Sequence, residues 1–224
     1  VFEGGKDMKI KWLGHSSFVL ISESGFKVLA DPYKSGSYDG AVGYRPITEK
    51  VQVVMASHEH DDHFCLDGLP EGYETVTTPG RHEVGEVVIK GVKTYHDTSG
   101  GKERGRNIVF VAEMDGISIC HLGDLGHTLS DEDLEAIGRV DVLLIPVGGF
   151  YTIGPREAIE VMKSISPVIT IPMHYKTDVL GFPIKPVEDF LSLAGEYRRP
   201  NTSEIEIRKE DLGLKRIVVL EHAL

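Results

Sequence analysis

The sequence predicts an α+β protein in which two mixed β-sheets carry helices on their outer faces. Three observations lead to that class. The first part of the chain is a succession of short apolar runs punctuated by turn residues, as in a fold built from many short strands. Beyond about residue 130, apolar runs alternate with helical stretches, so strand–helix units follow the strand-rich part. The 25 glycines suit numerous tight turns. With 224 residues and 41% hydrophobic content, the chain can bury a sizeable core. No Gly/Ser tract, Pro-rich stretch, low-complexity block or fixed repeat divides it. Residues 1–7 read as a loose leader and residues 8–224 as a single domain.

The elements follow in order. Met8–Leu13 alternates in character and reads as a strand that Gly14-His15-Ser16-Ser17 interrupts. Phe18–Ile21 and Lys27–Ala30 form a hairpin around Ser24-Gly25, closed by Asp31-Pro32. Residues 33–50 are polar, Gly-rich and carry Tyr33, Tyr38 and Tyr44, forming a loop long enough to be functional or mobile. Val51–Ala56 is a buried strand. Thr75–Thr77, Glu86–Ile89 and Val92–Tyr95 are short strands, with turns at Pro79-Gly80 and Lys90-Gly91. Asn107–Ala112 and Ile117–Cys120 pair around Asp115-Gly116. Ser130 and Asp133 make a capping-box start for a helix over 131–138. Asp141–Val147 is an interior strand, and Pro155 opens a helix to about Ile165. Val168–Ile171 is a strand, Pro186–Tyr197 a helix, and Glu204–Arg208 and Lys215–Leu220 closing strands.

The chemistry concentrates in His58-Glu-His60-Asp-Asp62-His63, directly after an apolar run. Borderline divalent metals take imidazole nitrogen together with carboxylate oxygen. The alternating pair His58 and His60 puts two rings on one side of an extended backbone. Asp62 and His63 follow after the chain turns and face a neighbouring point, a geometry that suggests two adjacent metals. His96, His121 and His174 also sit at strand ends, and Asp124 lies just past one. Asp31 emerges from a buried strand. It either fixes a metal-bound imidazole through the second ring N–H or starts a turn before Pro32.

Composition narrows the partners. A net charge of −11 argues against broad nucleic-acid binding, which needs a positive surface. A small, anionic substrate held by local cations remains compatible. No apolar run is long enough for a membrane span and no signal-type stretch opens the chain. Two cysteines, Cys65 and Cys120, give no disulfide framework and fit a cytoplasmic protein. The sequence is compatible with a homo-oligomer.

The ordered set His58-x-His60-x-Asp62-His63, His96, Gly123-Asp124 and His174 resembles the metallo-β-lactamase superfamily. Leu13-Gly-His-Ser-Ser-Phe18, Ala30-Asp31-Pro32, His121-Leu-Gly-Asp-Leu-Gly126 and Ile171-Pro-Met-His-Tyr175 resemble its lactonase-like branch of zinc-dependent hydrolases, which includes the ascorbate-6-phosphate lactonases. The resemblance covers nearly the whole chain from Met8. It implies an αββα sandwich with the site at one sheet edge. It further implies that His58, His60 and His96 hold one metal, that Asp62, His63 and His174 hold a second, and that Asp124 bridges them. His121 competes with His96 for the third place at the first metal. Asp31 is the supporting residue beside the ligands. Two divalent ions, Zn²⁺ by ligand type with Mn²⁺ or Fe²⁺ as alternatives, imply a metal-bound hydroxide that cleaves a small ester, lactone or phosphodiester. A redox di-iron role is disfavoured by the resemblance, because such members carry Glu where His60 stands.

Asp62, His121 and His15 are the candidate catalytic side chains beyond simple ligation. His127, Tyr151, Tyr175 and Lys176 lie near the motifs and are further candidates to protonate a leaving group. Lys102, Arg104 and Arg106 either bind a phosphate or form a solvated hairpin loop. A nuclease or phosphodiesterase acting on RNA or DNA, and a non-catalytic metal-binding protein, are the competing functions.

Overall fold

A computed structural model describes residues 7–224. Of the expected leader, residues 1–6 lie outside the described residues. Asp7 is described and forms an ion pair with Arg208 at 2.8 Å.

The first sheet has six strands. They are β1 (Met8–Gly14), β2 (Ser17–Ile21), β3 (Lys27–Ala30), β4 (Val53–Met55), β5 (Glu74–Val76) and β13 (Glu204–Ile207), in the spatial order β13-β1-β2-β3-β4-β5. Its first four strands in that order pair antiparallel, and β3, β4 and β5 run parallel. The second sheet has eight strands: β6 (Gly80–Val84), β7 (Val87–Tyr95), β8 (Arg106–Met114), β9 (Ile117–His121), β10 (Val142–Pro146), β11 (Ile169–Met173), β12 (Tyr197–Arg198) and β14 (Arg216–Val218). Their order is β12-β14-β11-β10-β9-β8-β7-β6. β6 to β9 form an antiparallel meander, and β9, β10, β11, β14 and β12 run parallel.

The main core fills the space between the sheets. Period-2 alternation sends Ile10, Trp12, Phe18, Leu20, Val28 and Met55 inward from the first sheet, against Ile89, Phe110, Ile119 and Leu144 from the second. The continuously apolar strands β10 and β11 are buried along their whole length, as parallel strands covered on both faces must be. Helices α2 (Asp131–Ile137), α3 (Pro155–Ile165) and α4 (Val187–Ala194) belong to this core, with α2 against β7 and α3 against β10. α2 starts at Ser130 with a complete capping box.

Several details depart from the sequence reading. Lys90-Gly91 is not a turn but the middle of nine-residue β7. A Cβ at residue 91 would sit 2.9 Å from the Thr78 carbonyl oxygen, so the glycine permits close backbone approach. The turn lies at Gly85-Glu86, and Gly80 opens β6 rather than closing a strand. The last helix stops at Ala194, where Gly195 takes φ 92°, and Tyr197–Arg198 joins the second sheet. A five-residue 3₁₀ turn over Lys209–Gly213 separates the last two strands. The outer face of the first sheet carries no part of α2, α3 or α4. Leu13, Val19, Leu29 and Val54 are instead covered by Tyr33, Val42, Tyr44 and Ile47 of the long loop and by Leu180, Phe182 and Ile184. That loop contains one short turn, α1 (Ser37–Gly40).

Candidate metal centre

Strand ends from both sheets deliver the predicted residues to one edge. Asp31 follows β3, His58 to His63 follow β4, His96 follows β7, His121 ends β9 with Asp124 three residues later, and His174 follows β11. His15 lies in the bend between β1 and β2. His15, Asp31, Tyr38 and His174 have φ of 52°, 45°, 53° and 49°. Such left-handed backbone costs about 1–3 kcal/mol per residue and persists where surrounding contacts impose it.

Four imidazoles point their Nε2 atoms at one carboxylate. From Asp124, His96 lies at 3.0 Å, His63 at 3.1 Å, His174 at 3.4 Å and His58 at 3.9 Å. Asp124 is 2% exposed. Its backbone N–H donates to Asn107 Oδ1 at 2.9 Å, while Asn107 Nδ2 donates to Thr94 Oγ1 and the Leu122 carbonyl. Gly123 has φ 56°, and a Cβ there would lie 2.4 Å from Asn107 Oδ1, so the approach to Asp124 requires glycine.

Asp31 sets the orientation of two of these rings. One of its oxygens accepts from Ser57 N–H at 2.7 Å. The other accepts from Ser57 Oγ–H and from His63 Nδ1–H, both at 2.7 Å. Ser57 Oγ has spent its only proton, so at 2.9 Å it accepts from His58 Nδ1–H. Both rings therefore carry a proton on Nδ1 and turn Nε2 toward Asp124. Among the described residues, neither His58 Nε2, His63 Nε2 nor Asp124 Oδ1 has a hydrogen-bond partner, although all three are buried. A lone pair facing a carboxylate oxygen at 3.1 Å is repulsive unless a proton or cation lies between them. The donor set fits a divalent cation, since imidazole nitrogen and carboxylate oxygen are its ordinary ligands.

Three groups bring their ligand atoms within 4.8 Å of one another: His58, His60 and His96; His15, Asp62, His63 and His174; and His58, His63 and Asp124. The third group links the first two. Asp62 is held at both oxygens, by His15 Nε2–H at 3.1 Å and by the Tyr38 hydroxyl at 3.1 Å. His15 is fully buried, with its ring 4.2 Å from that of His174. Burial and the nearby His174 lower its pKa to about 4, so it is neutral at pH 7. Burial and then His63 lower His58 to about 3. His63 moves the other way: burial opposes protonation, but the Asp124 and Asp62 carboxylates raise it well above the usual imidazole range. Asp124 itself stays ionised despite its burial, held by His174, His63 and His96.

The remaining candidates separate clearly. His121 is fully buried and spends both ring nitrogens on backbone, donating from Nε2 to the Ser16 carbonyl at 2.8 Å and accepting at Nδ1 from Gly123 N–H at 3.1 Å. His127 donates from Nδ1 to the Thr128 carbonyl and accepts from Tyr95 N–H. Tyr175 is buried, and Lys176 donates to the Leu180 and Phe182 carbonyls. Tyr151 lines the cleft over the metal centre, a space of about 280 Å³ also bounded by Tyr38, His60, Arg104 and Phe182. Of the three cations near residue 104, Arg104 alone reaches that cleft. Phe182, Ser57 and Asn107 were not candidates from the sequence, and Tyr38 was noted only as part of the 33–50 loop, because nothing local marks a residue that meets the site only through the fold.

A β-sandwich whose edge gathers buried His and Asp side chains carries the donor set of a metal-binding site. Residues 9–174 match the beta-lactamase superfamily domain. The "UPF0173 metal-dependent hydrolase" of Archaeoglobus fulgidus is 31% identical, over 82% of this chain and 89% of that protein. The crystal structure of a Thermotoga maritima protein assigned as a Zn-dependent hydrolase of the metallo-beta-lactamase superfamily matches with a TM-score of 0.80 and 41% identity, covering 96% of this chain and 98% of that one. Igni18, a metallo hydrolase from Ignicoccus hospitalis, shares the fold at 18% identity and a TM-score of 0.63, over 96% and 95% of the two chains. The chain belongs to the metallo-β-lactamase superfamily, among its metal-dependent hydrolases. Among the described residues, no helix is long and apolar enough to cross a membrane.

Proposed function

We propose that the chain binds two divalent metal ions and hydrolyses a small ester, lactone or phosphodiester. His58, His60 and His96 would hold one ion, Asp62, His63 and His174 the other, with Asp124 between them. Zinc suits this donor set best, and manganese or iron accept it too. The observation that carries the reading is the convergence of four imidazole Nε2 atoms on Asp124. Bound divalent ions supply an activated water at neutral pH and polarise the scissile group.

The protein's own residues do the rest. Asp31 and Ser57 lock the tautomers of His63 and His58, which keeps their Nε2 atoms free for ligation. His15 and Tyr38 fix the carboxylate of Asp62. Burial, with Asp62 beside it, raises the Tyr38 phenol above its ordinary value, so it remains a hydrogen-bond donor at the cleft mouth throughout the neutral range. His121 braces the backbone beneath Asp124 and takes no part in ligation. A cleft of about 280 Å³ suits a small molecule better than a polynucleotide, in keeping with the net charge of −11. Two free thiols fit a reducing, cytoplasmic setting.

Elemental analysis of the purified protein, followed by an ester, lactone, thioester, phosphodiester and RNA panel with each candidate metal, tests the reading. His60→Ala and Asp124→Ala are expected to lose metal and hydrolysis while the circular dichroism of the fold persists. Full activity in either variant would overturn the ligand set. A metal-loaded protein that cleaves nothing in the panel would be a binding protein instead.

A further inference from the structure

We propose that Arg104 selects substrates carrying an anionic oxygen group, carboxylate or phosphate, on an aromatic or apolar body. The inference rests on the hydrolase reading above and names the substrate class of that same cleft.

Four observations carry it. Arg104 is the only Lys or Arg among the residues lining the cleft. It is half-buried and, unlike Arg81, Arg139, Arg199 and Arg208, pairs with no carboxylate among the described residues. Its guanidinium lies 5.9 Å from the ring centroid of Tyr151, a cation–π placement that orients the planar fork. Glu103 also lines the cleft, but its carboxylate accepts from Ser99 Oγ–H at 2.6 Å.

The loop that presents Arg104 is built rigidly. Asp97, 3% exposed and next to His96, accepts backbone N–H groups from Ser99, Gly101, Glu103 and Arg104 at 2.7, 2.8, 3.0 and 2.8 Å. One carboxylate thus gathers the whole loop onto the end of β7. The loop buries no core residue in return for that order. Its product is a guanidinium held at a fixed place beside the metal centre, which is what recognition of a carboxylate or phosphate by paired N–H donors requires. Aromatic rings line the same cleft: Tyr151 and Tyr38 each meet Phe182 edge to face, at 5.6 and 5.4 Å. An anion on Arg104 and an apolar body on these rings leave the polarised bond to the metal centre.

Calorimetric binding to the zinc-loaded protein tests this without turnover. The probes are benzoate, with one anionic group, and terephthalate and 4-phosphonobenzoate, each with a second anion across the ring. At least one two-headed probe is expected to bind about tenfold more tightly than benzoate, equivalent to about 1.4 kcal/mol. The better of the two identifies carboxylate or phosphate as the preferred group. Arg104→Gln is expected to erase that advantage with zinc content unchanged, and Arg104→Lys to keep part of it. An equal preference in Arg104→Gln, or no preference in the parent protein, would overturn the proposal. Preference without any hydrolysis would instead remove the hydrolase reading and leave the anion site standing.

Discussion

Asp31 shows how a single side chain can organise the proposed metal centre without standing among its ligands. It is fully buried, adopts φ 45°, and gathers Ser57 and His63 on its two oxygens. Burial opposes its ionisation, yet His121 and His63 hold its pKa below the usual carboxylate range. Asp31→Asn keeps the size but removes the charge that fixes His63 with its proton on Nδ1. The substitution should weaken metal binding by about 10–100-fold, read by competition against a chromogenic chelator. Unchanged affinity would mean that Asp31 only shapes the turn. The sequence placed this residue at a strand end before proline, where a turn-starting role and a supporting role look alike. His96 was favoured for the first metal by its place between the first motif and Asp124, with His121 as its competitor. Only the backbone partners of His121, Ser16 and Gly123, show why its ring is turned away from Asp124. Arg104 was one of three cations the sequence offered for a phosphate, and only the fold selects it, since it alone of the three lines the cleft.

Among the elements, the loop of residues 33–50 replaces a helix over the first sheet. Its aromatic and aliphatic residues cover the outer face that Leu13, Val19, Leu29 and Val54 expose. A chain with period-3.6 patterning would have announced a covering helix, whereas this loop gains its place through Tyr33, Val42, Tyr44 and Ile47, and Val42 falls opposite the other three at helical spacing. Glu49 ties the loop's end to two strands, with Lys11 of β1 at 2.7 Å and Lys27 of β3 at 3.3 Å. The Lys11 hydrogen bond in particular holds its carboxyl below the usual range, against the effect of burial. A folded pKa below the unfolded one stabilises the protein above the unfolded value, about 4.3 for Glu. That contribution is lost as pH falls through the folded value. Glu49→Gln should therefore cost about 0.5–1 kcal/mol at pH 7 by urea unfolding, and the difference from the parent protein should shrink as the pH is lowered below 4.3. A gap that widened in acid would contradict the pairing. The strands themselves were largely legible from apolar runs and turn residues. The errors fell at Gly91 and Gly80, where glycine serves close packing or strand entry and a local reading takes it for a turn.

For the molecule as a whole, the sandwich solves a problem of assembly. No single segment carries enough ligands for the centre, so strands from two sheets must end at one edge. β4 supplies His58 to His63, β7 supplies His96, β9 leads to Asp124, and β11 delivers His174. The spacing of these motifs made the fold class and the neighbourhood of the site readable before any coordinates, because each motif follows an apolar run. The cleft walls were readable only in part: Arg104 and Tyr151 stood among the candidates, whereas nothing local marks Phe182. If the buried Nε2 atoms await metal, a ligand that binds only the folded state must also stabilise it. The most direct measurement combines metal stoichiometry by inductively coupled plasma mass spectrometry with hydrolysis and thermal unfolding on the same sample, before and after chelation. The account predicts two divalent ions per chain, with hydrolysis and the elevated melting temperature both lost on chelation and both restored by added metal. Fewer than two ions in the fully active protein, or hydrolysis that survives their removal, would contradict it.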